Sequence, residues 1–216
     1  MATLALGACA TTGAEETVIS EADAWRVSFL QRAERAASPT NNASAEYPFG
    51  RRHPDAPEGL NQFAFLIGKH RCETQAPRGV DPFNEDDVIM VPFFWTGEYV
   101  MDGRAIRDEW ADVNSTGTQT RIYDPETDSW KIRWVGIGTL EGFGLARTQG
   151  DFSATAQPDG TIEAPFAEFE YEGDLYRSVI TFFDISARGF EWSLQTYKDG
   201  VPVGRQNTIS CLRTAG

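Results

Sequence analysis

The sequence predicts an all-β protein, an antiparallel up-and-down barrel of eight to ten strands with an N-terminal helix before it. From residue 63 onward, short segments alternate apolar with polar residues and are rich in the threonine and aromatic residues that suit strands. Turn sequences such as Met101-Asp102-Gly103 and Lys198-Asp199-Gly200 separate these segments, and connections this short make neighbouring strands antiparallel. No helix-length connection interrupts the series, which argues against a parallel sheet.

The totals favour one globular domain with extra residues at its N-terminus. The chain has 216 residues, of which 41% are hydrophobic and 12% aromatic, enough to form a core. Its net charge is −13, from 32 acidic and 19 basic residues. An acidic chain repels phosphate backbones, so we expect no nucleic-acid partner. The sequence carries no prediction of the oligomeric state.

The first residues resemble a bacterial lipoprotein signal. Leu6-Gly7-Ala8-Cys9 matches the lipobox, in which an apolar residue and two small residues precede the cysteine that receives the lipid. Only eight residues precede Cys9, without a basic region, so we expect that the natural start lies upstream or that the sequence is truncated. The alternative is an alanine-rich N-terminus with a chance cysteine.

The lipoprotein resemblance has consequences for location. It implies that residues 1–8 are a signal remnant and that Cys9 anchors the protein to a membrane through its lipid. Ala10 is not an aspartate, which in this resemblance implies an outer-membrane lipoprotein on the periplasmic face of the bacterial cell envelope. There is no apolar run of 18 residues that would span a bilayer.

Between the anchor and the barrel, residues 9–60 are predicted to form a tether, a helix and a linker. The helix is expected over Ser20–Ala37, with Ala22, Trp25, Phe29 and Ala33 on one face. We expect this face to pack across the barrel or close one end of it, and a partner helix is the alternative. The proline-rich segment over 38–60 is predicted to be a linker or an irregular wrap, and the barrel domain takes up residues 61–216.

The barrel strands are read from the apolar alternation and the turns between segments. They are predicted near 63–73, 87–100, 104–113, 117–124, 129–136, 143–154, 161–171, 175–185, 189–198 and 203–213.

Asp108 is the most unusual charged residue in this pattern. Ile106 and Trp110 form the apolar face of their strand, and Asp108 and Arg104 share that face. A carboxylate on an apolar face needs a partner or a shifted pKa. One interpretation is a structural ion pair across the strands, with Arg104, Arg121 or Arg205 as the partner. The other is an acid–base group that acts with Tyr123 or Tyr99.

Two cysteines remain after the predicted lipidation of Cys9. Cys72 lies on the first predicted strand and Cys211 on the last, and these strands pair when a barrel closes. In an oxidising compartment we expect a disulfide between them. The alternative is two buried free thiols.

Several motifs resemble calycin-like barrel proteins of bacteria. Leu66 to Cys72 looks like their opening Leu-x-Gly-x-Trp strand, with His70 at the tryptophan position. The series Gly97 to Arg104, Asp108-Glu109-Trp110 and Tyr123-Asp124-Pro125 is also similar to that family. The resemblance implies a lipocalin-like barrel whose mouth admits one small, mostly apolar molecule. Haem-binding relatives use a histidine from a late strand, which this chain lacks.

The leading functional interpretation is a binding module for a small hydrophobic or aromatic molecule. The aromatic residues expected to line the site are Trp95, Tyr99, Trp110, Tyr123, Trp134 and Trp192. The polar anchors expected beside them are Arg104, Asp108 and Asn207. No motif for a metal, a nucleotide or a catalytic triad is present, so we predict no cofactor and no metal site.

Two alternatives come from other functional classes. One is a barrel enzyme, a lyase or isomerase, with Asp108 and Tyr123 as its catalytic acid–base groups. The other is a structural envelope lipoprotein with a filled barrel. A cavity below about 300 Å³, the lower end for ligand pockets, would favour the structural protein.

Overall fold

The computed structural model describes residues 42–77, 88–111, 115–140 and 144–214. They form a closed antiparallel barrel in which each strand pairs with its neighbours in the chain and β1 pairs with β10. The strands are β1 Gly68–Pro77, β2 Val88–Val100, β3 Ala105–Ala111, β4 Ser115–Asp124, β5 Ser129–Leu140, β6 Gly144–Ala156, β7 Ile162–Tyr171, β8 Asp174–Ser186, β9 Gly189–Lys198 and β10 Val201–Arg213.

The predicted architecture is confirmed. The protein is an all-β up-and-down barrel, as the resemblance to calycin-like proteins implies, and the described strands number ten. The helix predicted over Ser20–Ala37 lies outside the described residues. Within the described ranges, no helix is long and apolar enough to cross a membrane.

The first predicted strand was wrong at its start. Instead of a strand from residue 63, the chain forms a 3₁₀ helix over Glu58–Leu66, and β1 begins at Gly68. A short apolar run without alternation has no period that separates a helix from a strand, so its packing decides the conformation. The side chains of Leu60, Phe63 and Leu66 are completely buried.

The 3₁₀ helix closes one end of the barrel. The ring of Phe63 packs edge-on against Trp130 and Phe182, with centroids 4.8 and 5.4 Å apart. The backbone of Leu66 lies so close to Gly97 of β2 that a Cβ there would overlap the Leu66 carbonyl group. The helix therefore shapes the floor of the interior and leaves the space above it to the strands.

The segment before this helix runs along the β2–β3 hairpin. The amide of Tyr99 donates to the Phe49 carbonyl at 2.9 Å, and the amide of His53 donates to the Gly103 carbonyl at 3.0 Å. Gly103 has a φ of 75°, and a Cβ there would overlap the Arg51 carbonyl oxygen. The irregular wrap predicted for these residues thus fits tightly on the hairpin.

The predicted cross-link between the first and last strands is confirmed. Cys72 and Cys211 are direct partners in the β1–β10 register and form a disulfide, with 139 residues of sequence separation. Both side chains are buried. The alternative of two free thiols does not describe this structure.

Candidate functional site

The barrel interior contains a cavity of about 230 Å³. Its wall is mostly aromatic and aliphatic, with four polar side chains among the lining residues. The apolar members are Phe93, Trp95, Trp110, Trp134, Phe152, Phe166, Ile180, Phe182, Trp192, Leu194 and Ile209. The polar members are Thr74, Gln119, Arg121 and Asn207.

The strand register brings the aromatic rings together. Trp95 on β2 and Trp110 on β3 are direct partners in the strand register, so both side chains lie on the same face of the sheet, towards the cavity. The rings of Trp95 and Trp192 meet edge to face with centroids 6.0 Å apart. On the other side, Phe166 packs edge-on against Trp134 at 6.0 Å. These edge-to-face contacts hold the aromatic wall in one arrangement.

A completely buried ion pair lies at the floor of this cavity. Arg121 Nε donates to Asp108 Oδ2 at 2.6 Å, and the two side chains are 1% and 0% exposed. Arg121 Nη2 also donates to Gln119 Oε1 at 2.6 Å. The guanidinium group lies over the Phe63 ring, with its Cζ atom 4.6 Å from the centroid. The 3₁₀ helix therefore supports the ion pair from below.

Two opposing effects act on the pKa of Asp108. Burial raises the pKa of this carboxyl group, because the charged form loses its hydration. The charge of Arg121 and its hydrogen bond lower the pKa, and so does the indole of Trp95. Burial is the largest of these effects, so the pKa is raised overall.

Some buried polar atoms of the ion pair and of the tryptophans in the cavity wall do not meet hydrogen-bond geometry with any partner. Among the residues that the structure describes, Arg121 Nη1, Asp108 Oδ1, Trp95 Nε1 and Trp192 Nε1 make no hydrogen bond. The Trp95 indole is nevertheless close enough to Asp108 to lower the pKa of that carboxyl group as a weak hydrogen-bond donor. Buried polar groups are almost always satisfied, so atoms of this kind are unusual in a protein interior.

Five of the predicted ligand-binding residues line the cavity, namely Trp95, Trp110, Trp134, Trp192 and Asn207. Asn207 Oδ1 accepts a hydrogen bond from the Thr74 hydroxyl group at 3.0 Å across the β1–β10 pair. Asp108, predicted as a polar anchor and as a catalytic group, lies directly behind Arg121 instead of at the cavity surface. Of the two interpretations, the buried ion pair describes its geometry.

Arg104 is not placed in the cavity, contrary to the prediction. β3 begins at Ala105, one residue later than predicted, so Arg104 lies in the turn. The strand alternation that directs every second side chain inward does not apply there. It is exposed and donates to Asp102 at 3.1 Å. Tyr99 is buried but does not line the cavity either. Burial raises the pKa of Tyr99, and the nearby charge of Arg52 opposes this rise.

Tyr123 also lies away from the cavity, at the end closed by the 3₁₀ helix. Its ring packs against Trp130 and lies where a Cβ on Gly59 would be. Its hydroxyl group donates to Asp128 in the β4–β5 turn, and this bond raises the pKa of Tyr123. The predicted catalytic pair of Asp108 and Tyr123 is therefore not brought together.

The cavity contains residues that the sequence did not single out as ligand-binding. Arg121 was considered only as an ion-pair partner, and Gln119, Phe152 and Phe166 were not considered. The inward face of β4 carries Gln119, Arg121 and Tyr123, so apolar periodicity does not mark it. The available signal was an arginine at an inward position opposite the strand that carries Asp108. Within the described residues, no group of three or more His, Cys, Asp or Glu side chains is arranged to hold a metal ion.

The comparisons with known proteins identify no family for this chain. No family model matches it, and no curated protein matches it significantly. Among solved structures, the S-type phycobiliprotein lyase CPES from Guillardia theta matches with a TM-score of 0.41 and 11% sequence identity. The match covers 72% of this chain and 92% of that chain. A similarity at this level carries no argument about a ligand or an activity.

Proposed function

We propose that the barrel binds a small, largely aromatic molecule in its cavity. The proposal depends on one observation. The cavity wall combines eleven aromatic and aliphatic side chains with only four polar ones, Thr74, Gln119, Arg121 and Asn207. Aromatic walls supply apolar contact, while a few polar groups orient a ligand.

The volume limits the size of the molecule. At about 230 Å³, the cavity is below the roughly 300 Å³ at which pockets for drug-sized ligands begin, so volume alone favours a filled structural barrel. A smaller molecule needs less space, since an engineered apolar cavity of about 150 Å³ binds benzene. In proportion, the cavity suits a molecule of about nine non-hydrogen atoms.

The two competing functions explain the cavity less well. A structural barrel gains nothing from a cavity of about 230 Å³ in its interior, because the side chains that line it lose packing contacts. An enzyme that uses Asp108 and Tyr123 loses support because Arg121 occupies the carboxylate and Tyr123 lies outside the cavity. Binding a small molecule uses the cavity, which neither of the other two functions requires.

Native mass spectrometry tests this proposal. We would express the full chain with Cys9→Ser in a bacterial periplasm and record the intact mass before and after organic extraction. Leu194→Trp places a large ring inside the cavity, whereas Val135→Trp places the same ring on an exposed position of β5. The two variants add the same side chain at positions that differ in access to the cavity.

A co-purifying mass that is lost on extraction is the expected result. It should persist in Val135→Trp and disappear in Leu194→Trp, with both variants folded by circular dichroism. An unmodified protein mass in the parent, together with no binding of added small aromatic compounds, would contradict the proposal. A mass that persists in Leu194→Trp would place the binding site elsewhere.

We also propose that the protein works in the bacterial cell envelope, anchored through a lipid on Cys9. Cys9 lies outside the described residues, and the proposal is supported by the lipobox and by a disulfide of the kind found in oxidising compartments. Cells grown with a labelled fatty acid should label the wild-type protein and leave Cys9→Ser unlabelled. An unlabelled wild-type protein would contradict the anchor.

A further inference from the structure

We infer that the ligand is a small aromatic alcohol or phenol, whose hydroxyl group bonds to Asn207 and Thr74 while its ring lies deeper in the cavity. This inference depends on the proposed binding function and specifies its ligand class. It follows from which polar side chains of the cavity wall are accessible, from the hydrogen bonds that they can still make and from their level in the barrel.

The polar side chains of the cavity wall differ in accessibility. Arg121 is 1% exposed, and it bonds at 2.6 Å both to Asp108 and to the buried Gln119. Thr74 and Asn207 line the same cavity but are only half-buried. A ligand therefore reaches the side chains of Thr74 and Asn207, whereas the guanidinium group is enclosed by the protein.

Thr74 and Asn207 form one polar site on neighbouring strands. The Thr74 hydroxyl group donates to Asn207 Oδ1 at 3.0 Å, which holds the two side chains together. Within the described residues, the Asn207 side chain makes no other hydrogen bond. The site therefore presents the Nδ2 donor beside two acceptors, namely the second lone pair of Oδ1 and the threonine oxygen.

A hydroxyl group complements this site, because it both accepts and donates. It can accept from Asn207 Nδ2 and donate to one of the two oxygens. A carbonyl group uses only the donor, and an ammonium group uses only the acceptors. An apolar group that displaces water from the site leaves the donor and the acceptors without partners.

The level of this site in the barrel sets the orientation of the ligand. The Phe65 ring of the 3₁₀ helix packs against Phe190 of β9, with centroids 4.9 Å apart. From Phe190, the inward positions Trp192 and Leu194 lead away from the helix, and Leu194 pairs with Asn207. Asn207 is therefore roughly 7 Å further from the closed end than Trp192. The aromatic ring of the ligand packs at the level of Trp192, and its hydroxyl group points away from the closed end.

Three probes of equal size separate the parts of this inference. The compounds para-ethylphenol, para-ethyltoluene and para-tolualdehyde each have about nine non-hydrogen atoms, the size that the cavity volume suggests. The first carries the hydroxyl group, the second has a methyl group in its place, and the third has a carbonyl group that only accepts. A phenol has a pKa of about 10, so all three are uncharged at neutral pH. We would measure the affinity of each for the full chain with Cys9→Ser by isothermal titration calorimetry.

Two variants remove the polar site, and a third is the matched control. Asn207→Leu replaces the amide with an apolar side chain of similar size, so it should weaken para-ethylphenol roughly tenfold without weakening para-ethyltoluene. Thr74→Val removes only the hydroxyl group and should weaken para-ethylphenol roughly threefold. Thr208→Val makes the same change at the exposed residue next to Asn207 and should alter neither affinity.

The outcomes distinguish the inference from the function on which it depends. If neither para-ethylphenol nor para-ethyltoluene binds the parent protein, the proposed binding function fails and the inference fails with it. If both bind and Asn207→Leu affects them equally, the cavity binds aromatic molecules and only the hydroxyl inference fails. A larger effect of Asn207→Leu on para-tolualdehyde than on para-ethylphenol would also overturn it.

A measurement on the parent protein alone stands even if a variant does not fold. In heteronuclear NMR spectra, para-ethylphenol should shift the side-chain amide signals of Asn207 more than para-ethyltoluene does, because only the phenol bonds to that amide. Equal shifts with the two probes would overturn the assignment of the hydroxyl group to this site.

Discussion

The interior of this barrel has a charged pair where an apolar core would be simpler. Arg121 and Asp108 bond at 2.6 Å with both side chains almost completely excluded from solvent. A buried ion pair is weak evidence for stability, because the loss of hydration offsets the attraction between the charges. In the proposed function the pair has a further role, because it fixes the position of Arg121 in the cavity wall.

Removing one partner of this pair should be costly, and removing both should not. We expect Arg121→Met to lower the free energy of unfolding by about 3–5 kcal/mol, because it leaves Asp108 buried without a counter-charge. The double variant with Asp108→Leu should recover most of that loss. Urea denaturation of the three proteins measures both effects.

The exposed pair of Arg133 and Asp151 provides the matched control. These side chains are 53% and 67% exposed, so Arg133→Met should cost no more than about 1 kcal/mol. Equal losses in Arg121→Met and Arg133→Met would show that burial of the Asp108 pair has no energetic consequence.

His70 is a second buried titratable residue, next to the disulfide. Its side chain is 1% exposed, and its ring packs edge-on against Phe190, with the centroids 5.3 Å apart. Burial and the charge of Arg213 together lower the pKa of His70 to about 4, against the smaller opposing effect of the backbone groups of Trp95 and Phe65. The folded protein therefore keeps this imidazole neutral at pH values where the unfolded chain protonates it.

Stability should consequently fall as the pH is lowered through the range from about 6.5 to about 4. In this range the unfolded state binds a proton that the folded state does not, so acid favours unfolding. The loss should be about 3 kcal/mol at most. The free energy of unfolding of His70→Phe, compared with the parent protein at several pH values, measures it.

The difference between the two proteins isolates His70 from the other groups. The raised pKa of Asp108 gives the opposite slope, because a carboxyl group whose pKa is higher in the folded than in the unfolded state favours folding in acid. That contribution is common to both proteins and cancels in the difference. An equal pH dependence in the parent protein and His70→Phe would mean that His70 does not titrate as described.

At the level of single residues, the sequence predicted which side chains point into the barrel better than it predicted which side chains contact each other. Alternation placed Trp95 and Trp192 correctly, because period two is a property of every strand. It failed for Arg104, because Arg104 is the last residue of the turn before β3 and the alternation does not extend into a turn. The choice of Arg121 as the partner of Asp108 depends on strand register, which local sequence leaves open among several arginines.

At the level of elements, the 3₁₀ helix Glu58–Leu66 is the part that sequence reasoning missed. The strands could be predicted because turns bound them and alternation identifies them. The helix has neither signal, since its conformation follows from packing against the barrel end. The close approach of Leu66 to Gly97 of β2 is one of the contacts in that packing.

Gly97→Ala should disturb the packing of this helix against β2. The new Cβ would overlap the Leu66 carbonyl oxygen, and backbone atoms have little freedom to move. We expect a loss of about 1–3 kcal/mol in the free energy of unfolding, measured by chemical denaturation. Gly150→Ala on β6 is the matched control, because no atom lies within 4 Å of its Cβ position.

The control should be neutral or stabilise the protein by up to about 1 kcal/mol, since alanine restricts the unfolded chain more than glycine does. If Gly97→Ala were as well tolerated as Gly150→Ala, the helix would not be held as closely against β2 as the structure has it.

For the whole molecule, the sequence predicted that the first strand pairs with the last. Cys72 and Cys211 were expected to be neighbours because a closed barrel pairs its first and last strands, and they are direct partners in the register. What the sequence did not define was the size of the interior. Cavity volume depends on how many rings point inward at each level, which no single strand determines.

Loss of the disulfide should destabilise the protein by about 2–5 kcal/mol. The bond joins residues 139 positions apart, and a long loop loses much conformational freedom when it is closed in the unfolded chain. The melting temperature of Cys72→Ala with Cys211→Ala, compared with the parent protein, measures the effect. A reductant should lower the value for the parent protein only. An equal response of both proteins would contradict a disulfide in the folded protein.

The disulfide also determines how the barrel responds to mechanical tension and to a cut in its backbone. The backbone from Cys72 to Cys211 and the disulfide together form one covalent ring that contains nearly the whole barrel. A single cut in any hairpin within the ring leaves both pieces attached to each other. Tension applied between the two chain ends passes from Cys72 to Cys211 through the sulfur atoms, so the strands and the cavity between them are not stretched.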